Sequence, residues 1–283
     1  MPAEPPVESP GSLDEAYALL AGAEFQPIAG GTDLLVQITG ELAPPPERVL
    51  DIWRLDELRG ISLDDGTLSL GALTTYTEIR RSKLCQEMLP VLVDAAATIG
   101  AAQIQNRATL GGNAINASPA GDTLPVLLAT DALLVLGSAR GQRTIPAADF
   151  WPAYRRTARA ADELLLRIRI PLGAGRHVRF RKVGTRRAQA ISKVVAALSW
   201  REDGGVWRDV RLALGSVADR PIRATQTEAV LEGAAPRKET ADHAAATVAA
   251  EIAPIDDVRS TAEYRRVVTA RVLHRLLRDE AGW

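Results

Sequence analysis

Apolar residues along this chain come in short runs whose spacing alternates between the two-residue period of a half-buried strand and the longer period of a helix face. The first ten residues, rich in Pro and Glu, read as a flexible lead-in. Ser12-Leu13-Asp14-Glu15 then places a carboxylate three residues after a hydroxyl, a capping-box pattern that predicts a helix over 12–21. Residues 25–29 and 49–52 read as short buried strands on either side of a loop at Pro44-Pro45-Pro46, and 34–38 fits a helical turn or a strand. Runs at 61–63 and 67–70 flank Asp64-Asp65-Gly66, a hairpin sequence. Thr75-Tyr76-Thr77-Glu78 is a second capping box, and the apolar stretch 84–99 predicts one long buried helix. Asp122 stands where it would cap a helix reaching Ala129, and 132–136 reads as a core strand.

Further along, strands are predicted at 164–170, 178–183, 194–200 and 210–214, then helices at 225–231, 237–252 and 260–278, the last opened by Ser260-Thr261-Ala262-Glu263. Mixed elements up to about residue 172, then strands followed by helices, predict an α+β protein with a smaller C-terminal domain. At 283 residues a second domain is expected on size alone.

Composition narrows the function classes. The balance of 34 basic against 35 acidic residues gives no pull toward a polyanion, and without a basic tail or aromatic stripe no nucleic-acid partner is expected. Cys85 is the only cysteine, which excludes an internal disulfide and any all-cysteine cluster in this chain. The histidines at 177, 243 and 274 have no ligand-like spacing, so no metal site is expected. No basic-then-apolar leader opens the chain, and no apolar run reaches the roughly 20 residues of a membrane span. A soluble, cytoplasmic protein is the expectation.

Two glycine segments carry the candidate chemistry: Ala29-Gly30-Gly31-Thr32-Asp33 and Thr109-Leu110-Gly111-Gly112-Asn113. Glycine turns let backbone N–H groups converge on an anion, and two of them together suit the diphosphate of a large dinucleotide; glycine pairs also mark ordinary strand-to-helix turns. Asp122, behind Ser118-Pro119-Ala120-Gly121, would face neutral hydroxyls rather than phosphate, or simply cap a helix. In Phe180-Arg181-Lys182-Val183 alternation puts Lys182 on the face of an aromatic residue; it either snorkels to water or stabilises an anion on a cofactor. The pairs Arg155-Arg156, Arg186-Arg187 and Arg265-Arg266 read as solvated surface or as an interface. Trp151, Trp200, Trp207, Trp283 and Cys85 read as packing. Rossmann, Walker, nucleophile-elbow and zinc-protease motifs are absent from the sequence.

Taken in order, Pro27-Ile28-Ala29-Gly30-Gly31-Thr32-Asp33-Leu34-Leu35, Gln103 to Asn113, Ala117 to Asp122, Phe180 to Gly184 and Arg259 to Arg266 resemble the FAD-binding medium subunits of the molybdenum hydroxylases, the carbon monoxide and xanthine dehydrogenase family. The resemblance runs from about residue 12 to 275. It implies a two-part FAD domain of the vanillyl-alcohol-oxidase (PCMH) type over 1–172, split near 54, and an α+β C-terminal domain over 173–283. It also implies non-covalent FAD, since neither histidine nor cysteine stands near the first glycine segment. By motif match Ala29, Gly30, Gly31, Thr32, Asp33 and Leu34 wrap the pyrophosphate, and Thr109, Gly111, Gly112 and Asn113 close on it. Asp122 takes ribityl or ribose hydroxyls, Leu165 packs near a ring system, and Lys182 lies beside the flavin as the one catalytic candidate. The implied partners are a molybdenum–pterin large subunit and a [2Fe–2S] small subunit, in a dimer of heterotrimers passing electrons through the flavin to NAD, oxygen or a quinone. A self-sufficient flavin oxidase and a cofactor-free interaction subunit are the alternatives. Gln105, Ala108 and Ile99 depart from the residues usual in the family and bear on loop geometry and ring stacking.

Overall fold

A computed structural model describes residues 5–42, 44–186 and 189–283. Its strands form three sheets. The first is parallel, in the order β1-β3-β2, with β1 at Val7–Glu8, β2 at Gln26–Ile28 and β3 at Val49–Asp51. The lead-in is therefore a short edge strand, because Val7 and Glu8 register with Val49 and Leu50. Beneath it the helix Leu13–Gly22 buries Ala16 and Leu20 against Phe25 and Leu50. Ser12 caps that helix as expected, accepting from the Glu15 N–H.

The second sheet is antiparallel, in the order β4-β5-β8-β6-β7: β4 Ile61–Asp64, β5 Thr67–Gly71, β6 Leu133–Ser138, β7 Gly141–Pro146 and β8 Leu164–Pro171. Strand β7 has one buried residue, Ile145, and so lacks the apolar alternation that would reveal it in sequence. Leu164, Leu165 and Leu166 are buried on both faces, Leu164 and Leu166 toward the first sheet and Leu165 toward the helices on the other side. Those helices include Lys83–Met88 and Pro90–Ala97, where one long helix is expected. The break falls at Leu89 (φ −148°, ψ 63°) because the residue before a proline avoids helical geometry.

The third sheet, β12-β11-β10-β9, is antiparallel: β9 Arg176–Val183, β10 Val194–Asp203, β11 Val206–Gly215 and β12 Ile222–Arg223. One face packs on Thr225–Leu231, Lys238–Glu251 and Ala262–Ala281, with Val194, Ala196, Leu198 and Leu212 in that core. The opposite face meets Pro90–Ala97 and Leu124–Ala129, so Val178 and Phe180 join the core of the second sheet while Val183 joins the other. Leu124–Ala129 is buried at every position, as a helix between two layers must be. Thr123, not Asp122, is its N-cap residue, without a side-chain capping bond. The last helix starts one residue later than expected: Thr261, not Ser260, accepts from the Tyr264 N–H, and the Ser260–Glu263 box does not form. Among the described residues no helix is long and apolar enough to cross a membrane.

Candidate functional site

Where the first and second sheets meet, the chain leaves β2 through Ala29-Gly30-Gly31-Thr32-Asp33 and enters the helix Leu34–Thr39. Gly31 has φ +75°, a geometry that glycine adopts without strain. Gly30 lies so close to the 107–108 backbone that a Cβ would sit 1.8 Å from the Arg107 carbonyl oxygen. That contact welds the first segment to the run leading into the second. The N–H groups of residues 30–33 find no acceptor among the described residues. Asp33 accepts from the Asn116 amide at 3.1 Å, and Asn116 in turn accepts from Arg155 at 3.0 Å.

The second segment is not a loop. Thr109 is the N-cap of the helix Leu110–Asn116, so both glycines lie in its first turn. Its N–H groups are engaged: Leu110 with the Thr74 carbonyl, Gly111 with the Ala72 carbonyl, Gly112 with Thr109 Oγ1 at 2.9 Å and Asn113 with the Thr109 carbonyl. Gly111 is required by packing, since a Cβ would stand 2.5 Å from the Ala72 carbonyl oxygen. Gly112 meets only Thr109 Oγ1, at 2.9 Å. Asn113 accepts from Thr123 Oγ1 at 2.7 Å, which holds its side chain at the cleft.

Between the segments opens a cleft of about 1430 Å³, lined by every motif residue expected at a cofactor except Lys182. Its volume exceeds the ~300–1,000 Å³ of ordinary small-ligand pockets, as an extended dinucleotide requires. Leu165 and Ile99 supply apolar lining. Asp122, a lining residue, has its Oδ2 on the Lys182 ammonium at 2.6 Å, while its buried Oδ1 has no partner among the described residues. The resemblance sets Lys182 beside the flavin ring; in the structure its ammonium bonds Asp122 and the Thr98 carbonyl at 3.0 Å, and Asp122 rather than Lys182 is among the lining residues. Alternation along β9 is as the sequence predicts, with Phe180 and Lys182 both turned toward the second sheet's helices. Burial raises the Asp122 carboxyl above its ordinary value, against the opposing pull of Lys182.

Three family departures have local explanations. Gln105 is buried, donating to the Ile99 carbonyl at 2.8 Å and accepting from Arg80 at 2.5 Å, so it braces the run that carries Ile99. Ala108 borders Gly30 and lies outside the left-handed region, so its Cβ imposes no backbone strain. Ile99 presents an aliphatic surface where a ring would stack.

Sequence reasoning missed the C-terminal contribution to the cleft. Arg265, which with Arg266 reads in sequence as solvated surface or an interface, is 5% exposed and lines the cleft with Ser192 and Ser216. Nothing in a lone Arg-Arg pair announces burial; the acceptors, Asp257 and the Ser216 carbonyl, are brought to it by the fold. Arg155 and Arg159 reach the same cleft from the connection after β7, whereas Arg187 falls outside the described residues. Trp151, Trp200 and Trp207 are buried packing residues, and the Cys85 thiol is buried, which raises its pKa.

A glycine-lined cleft of this size suits a dinucleotide, and comparison with known proteins specifies which. Residues 4–173 match the model of the FAD binding domain in molybdopterin dehydrogenase, and residues 179–279 that of the CO dehydrogenase flavoprotein C-terminal domain. The glyceraldehyde dehydrogenase medium chain of Sulfolobus acidocaldarius is 34% identical over 91% of this chain and 91% of its own. The xanthine dehydrogenase FAD-binding subunit of Escherichia coli O157:H7 is 34% identical over 90% of this chain and 88% of its own. A crystal structure of carbon monoxide dehydrogenase from Hydrogenophaga pseudoflava superposes with a TM-score of 0.92 at 32% identity, covering 97% of this chain and 96% of that one. The chain belongs to the FAD-binding medium subunits of carbon monoxide and xanthine dehydrogenase-type molybdenum hydroxylases.

Proposed function

We propose that this subunit holds one FAD without a covalent bond and serves as the electron outlet of a cytoplasmic complex. In this reading a small partner subunit delivers electrons from [2Fe–2S] clusters, a large one holds molybdenum–pterin, and two such heterotrimers associate. NAD, oxygen or a quinone receives the electrons. The observation that carries the reading is that the N–H groups at 30–33 have no acceptor among the described residues, in a segment that lines a cleft large enough for a dinucleotide. When bound, FAD takes electrons singly and releases them in pairs, chemistry that belongs to the cofactor.

The chain's own residues bind and orient. Ala29 through Leu34 hold the pyrophosphate by N–H donation, strengthened because the acceptor is charged. Gly112 and Asn113 border it from the facing helix, while Thr109 and Gly111 shape that wall. Asp122 Oδ1 accepts from a ribityl or ribose hydroxyl. Leu165 and Ile99 exclude water from the ring system. Lys182 acts through Asp122, holding the carboxyl in place by its ammonium.

Co-purification of the complex tests this, with flavin, molybdenum, iron and pterin quantified per chain. One acid-releasable FAD per chain, bleached when substrate of the molybdenum partner is added without an acceptor, is the expected result. A chain that purifies colourless and takes up no added FAD sinks the reading, and turnover of an organic substrate by this chain alone would favour a self-sufficient oxidase.

A further inference from the structure

The 118–122 run, which carries Asp122, is held by polar contacts from the C-terminal domain, whose Ser192, Ser216 and Arg265 line the same cleft. Ser192 Oγ donates to the Ala120 carbonyl at 3.1 Å and lies 3.0 Å from Ser216 Oγ. The Ser216 N–H donates to the Pro119 carbonyl at 2.7 Å. Ser216 sits at φ +65°, a left-handed geometry that a residue with a Cβ keeps only when its surroundings enforce it. The enforcing group is Arg265, whose Nη1 donates to the Ser216 carbonyl at 2.6 Å. Its Nη2 donates to Asp257 Oδ1 at 2.8 Å, and the same oxygen accepts from the N–H groups of Arg259 and Ser260. A guanidinium is desolvated at this position only at a large penalty, which its planar fork offsets by bonding two acceptors at once.

We infer that Arg265 is a positioning residue for the cofactor cleft. By fixing Ser216 it holds Pro119 and Ala120, and through them Asp122, at the wall against which FAD lies. Pre-organisation of this kind strengthens binding by removing the need to order the wall when ligand arrives. The C-terminal domain is thus part of the flavin site, lining the cleft and bracing the run that carries Asp122. The inference rests on the flavin reading above.

The test uses the complete complex, stripped of FAD and titrated with it. Arg265→Met, which keeps the bulk and loses the fork, weakens FAD binding about tenfold, the size of one lost charge-assisted bond. It also shifts the flavin's midpoint potential, and Arg265→Lys recovers part of both effects. Ser192→Ala, which leaves the arginine alone, gives a smaller loss in the same direction and carries the test if Arg265→Met does not fold. Glu228→Gln is the control: Glu228 is buried and accepts from the Leu212 N–H, away from the cleft, so it lowers the melting temperature and leaves FAD affinity unchanged. Wild-type FAD affinity and potential in Arg265→Met, or in Ser192→Ala should Arg265→Met fail to fold, overturn the inference while the flavin reading stands. An equal affinity loss in Glu228→Gln overturns it too, since affinity would then follow stability alone. A wild-type complex that binds no FAD overturns the flavin reading itself.

Discussion

Gly30-Gly31 and Gly111-Gly112 both line one cleft, each within two residues of a threonine, yet their backbones are used differently. In the first, the N–H groups of residues 30–33 meet no protein acceptor among the described residues. In the second, the N–H groups of residues 110–113 are all taken by Ala72, Thr74 and Thr109. One segment is a row of donors with no acceptor among the described residues; the other is a braced surface extended by Asp122 and its salt bridge. The difference teaches that a glycine pair signals a close backbone approach, and that only the bonding of its neighbours tells a ligand from another strand.

The largest effect expected is on the braced wall. Lys182→Met leaves the Asp122 carboxylate buried without its ammonium, and breaking a buried pair in this way costs about 3–5 kcal/mol. Denaturant unfolding measures it. The pH dependence has a definite sign: burial already raises the folded-state pKa of Asp122, and losing Lys182 raises it further. A carboxyl whose pKa is raised on folding contributes its stability below the unfolded carboxylate value and loses it as pH climbs through the folded one. Lys182→Met should therefore regain stability on acidification toward the unfolded value, and adding Asp122→Asn should recover much of the deficit at neutral pH. A variant as stable as wild type at neutral pH would show that the wall does not depend on this pair.

Next come the glycines. Gly30→Ala drives a methyl into the Arg107 carbonyl, and Gly111→Ala one into the Ala72 backbone; overpacking of this kind costs about 1–3 kcal/mol. The two should part company over flavin. Gly30→Ala pushes the donor wall out of line and should lose FAD out of proportion to its fall in melting temperature. Gly111→Ala should lose both together, because its methyl meets the protein's own backbone rather than the diphosphate. Matching ratios of affinity loss to stability loss would erase the distinction between the walls.

Much of this architecture was legible in the chain and some was not, for reasons that follow from the residues. Strands β8, β10 and β11 announce themselves because they are apolar and buried, whereas β7 carries one buried side chain and Val7–Glu8 is an exposed edge too short for any period. Of the cofactor candidates that the motifs offer, all but Lys182 line the cleft. The helix beginning at Leu110 was hidden because two glycines in its first turn oppose helix propensity and are tolerated only through the Thr109 cap and the packing on Ala72. Lys182 and Asp122, sixty residues apart in sequence, were read singly; that they neutralise each other is a fact of tertiary structure. The burial of Arg265 is hidden for a related reason: the Ser216 carbonyl that it bonds lies 49 residues away in sequence.

The smallest effects separate the walls most cleanly. Thr109→Ala removes an N-cap hydroxyl that accepts from the Gly112 N–H, so it should cost about 1 kcal/mol of stability even without cofactor. Thr32→Ala removes a hydroxyl that bonds nothing among the described residues, so the apo protein should change by about 0.5 kcal/mol or less. FAD should reverse the ranking, because a hydroxyl on the donor wall can reach a phosphate oxygen, and losing one bond to a charged acceptor weakens binding about tenfold. Melting curves of both variants with and without FAD would read the crossing directly. Should Thr109→Ala prove the weaker FAD binder and Thr32→Ala the less stable apo protein, the walls have been told apart the wrong way round, and the diphosphate belongs on the helix at Leu110 rather than on the turn at Gly30.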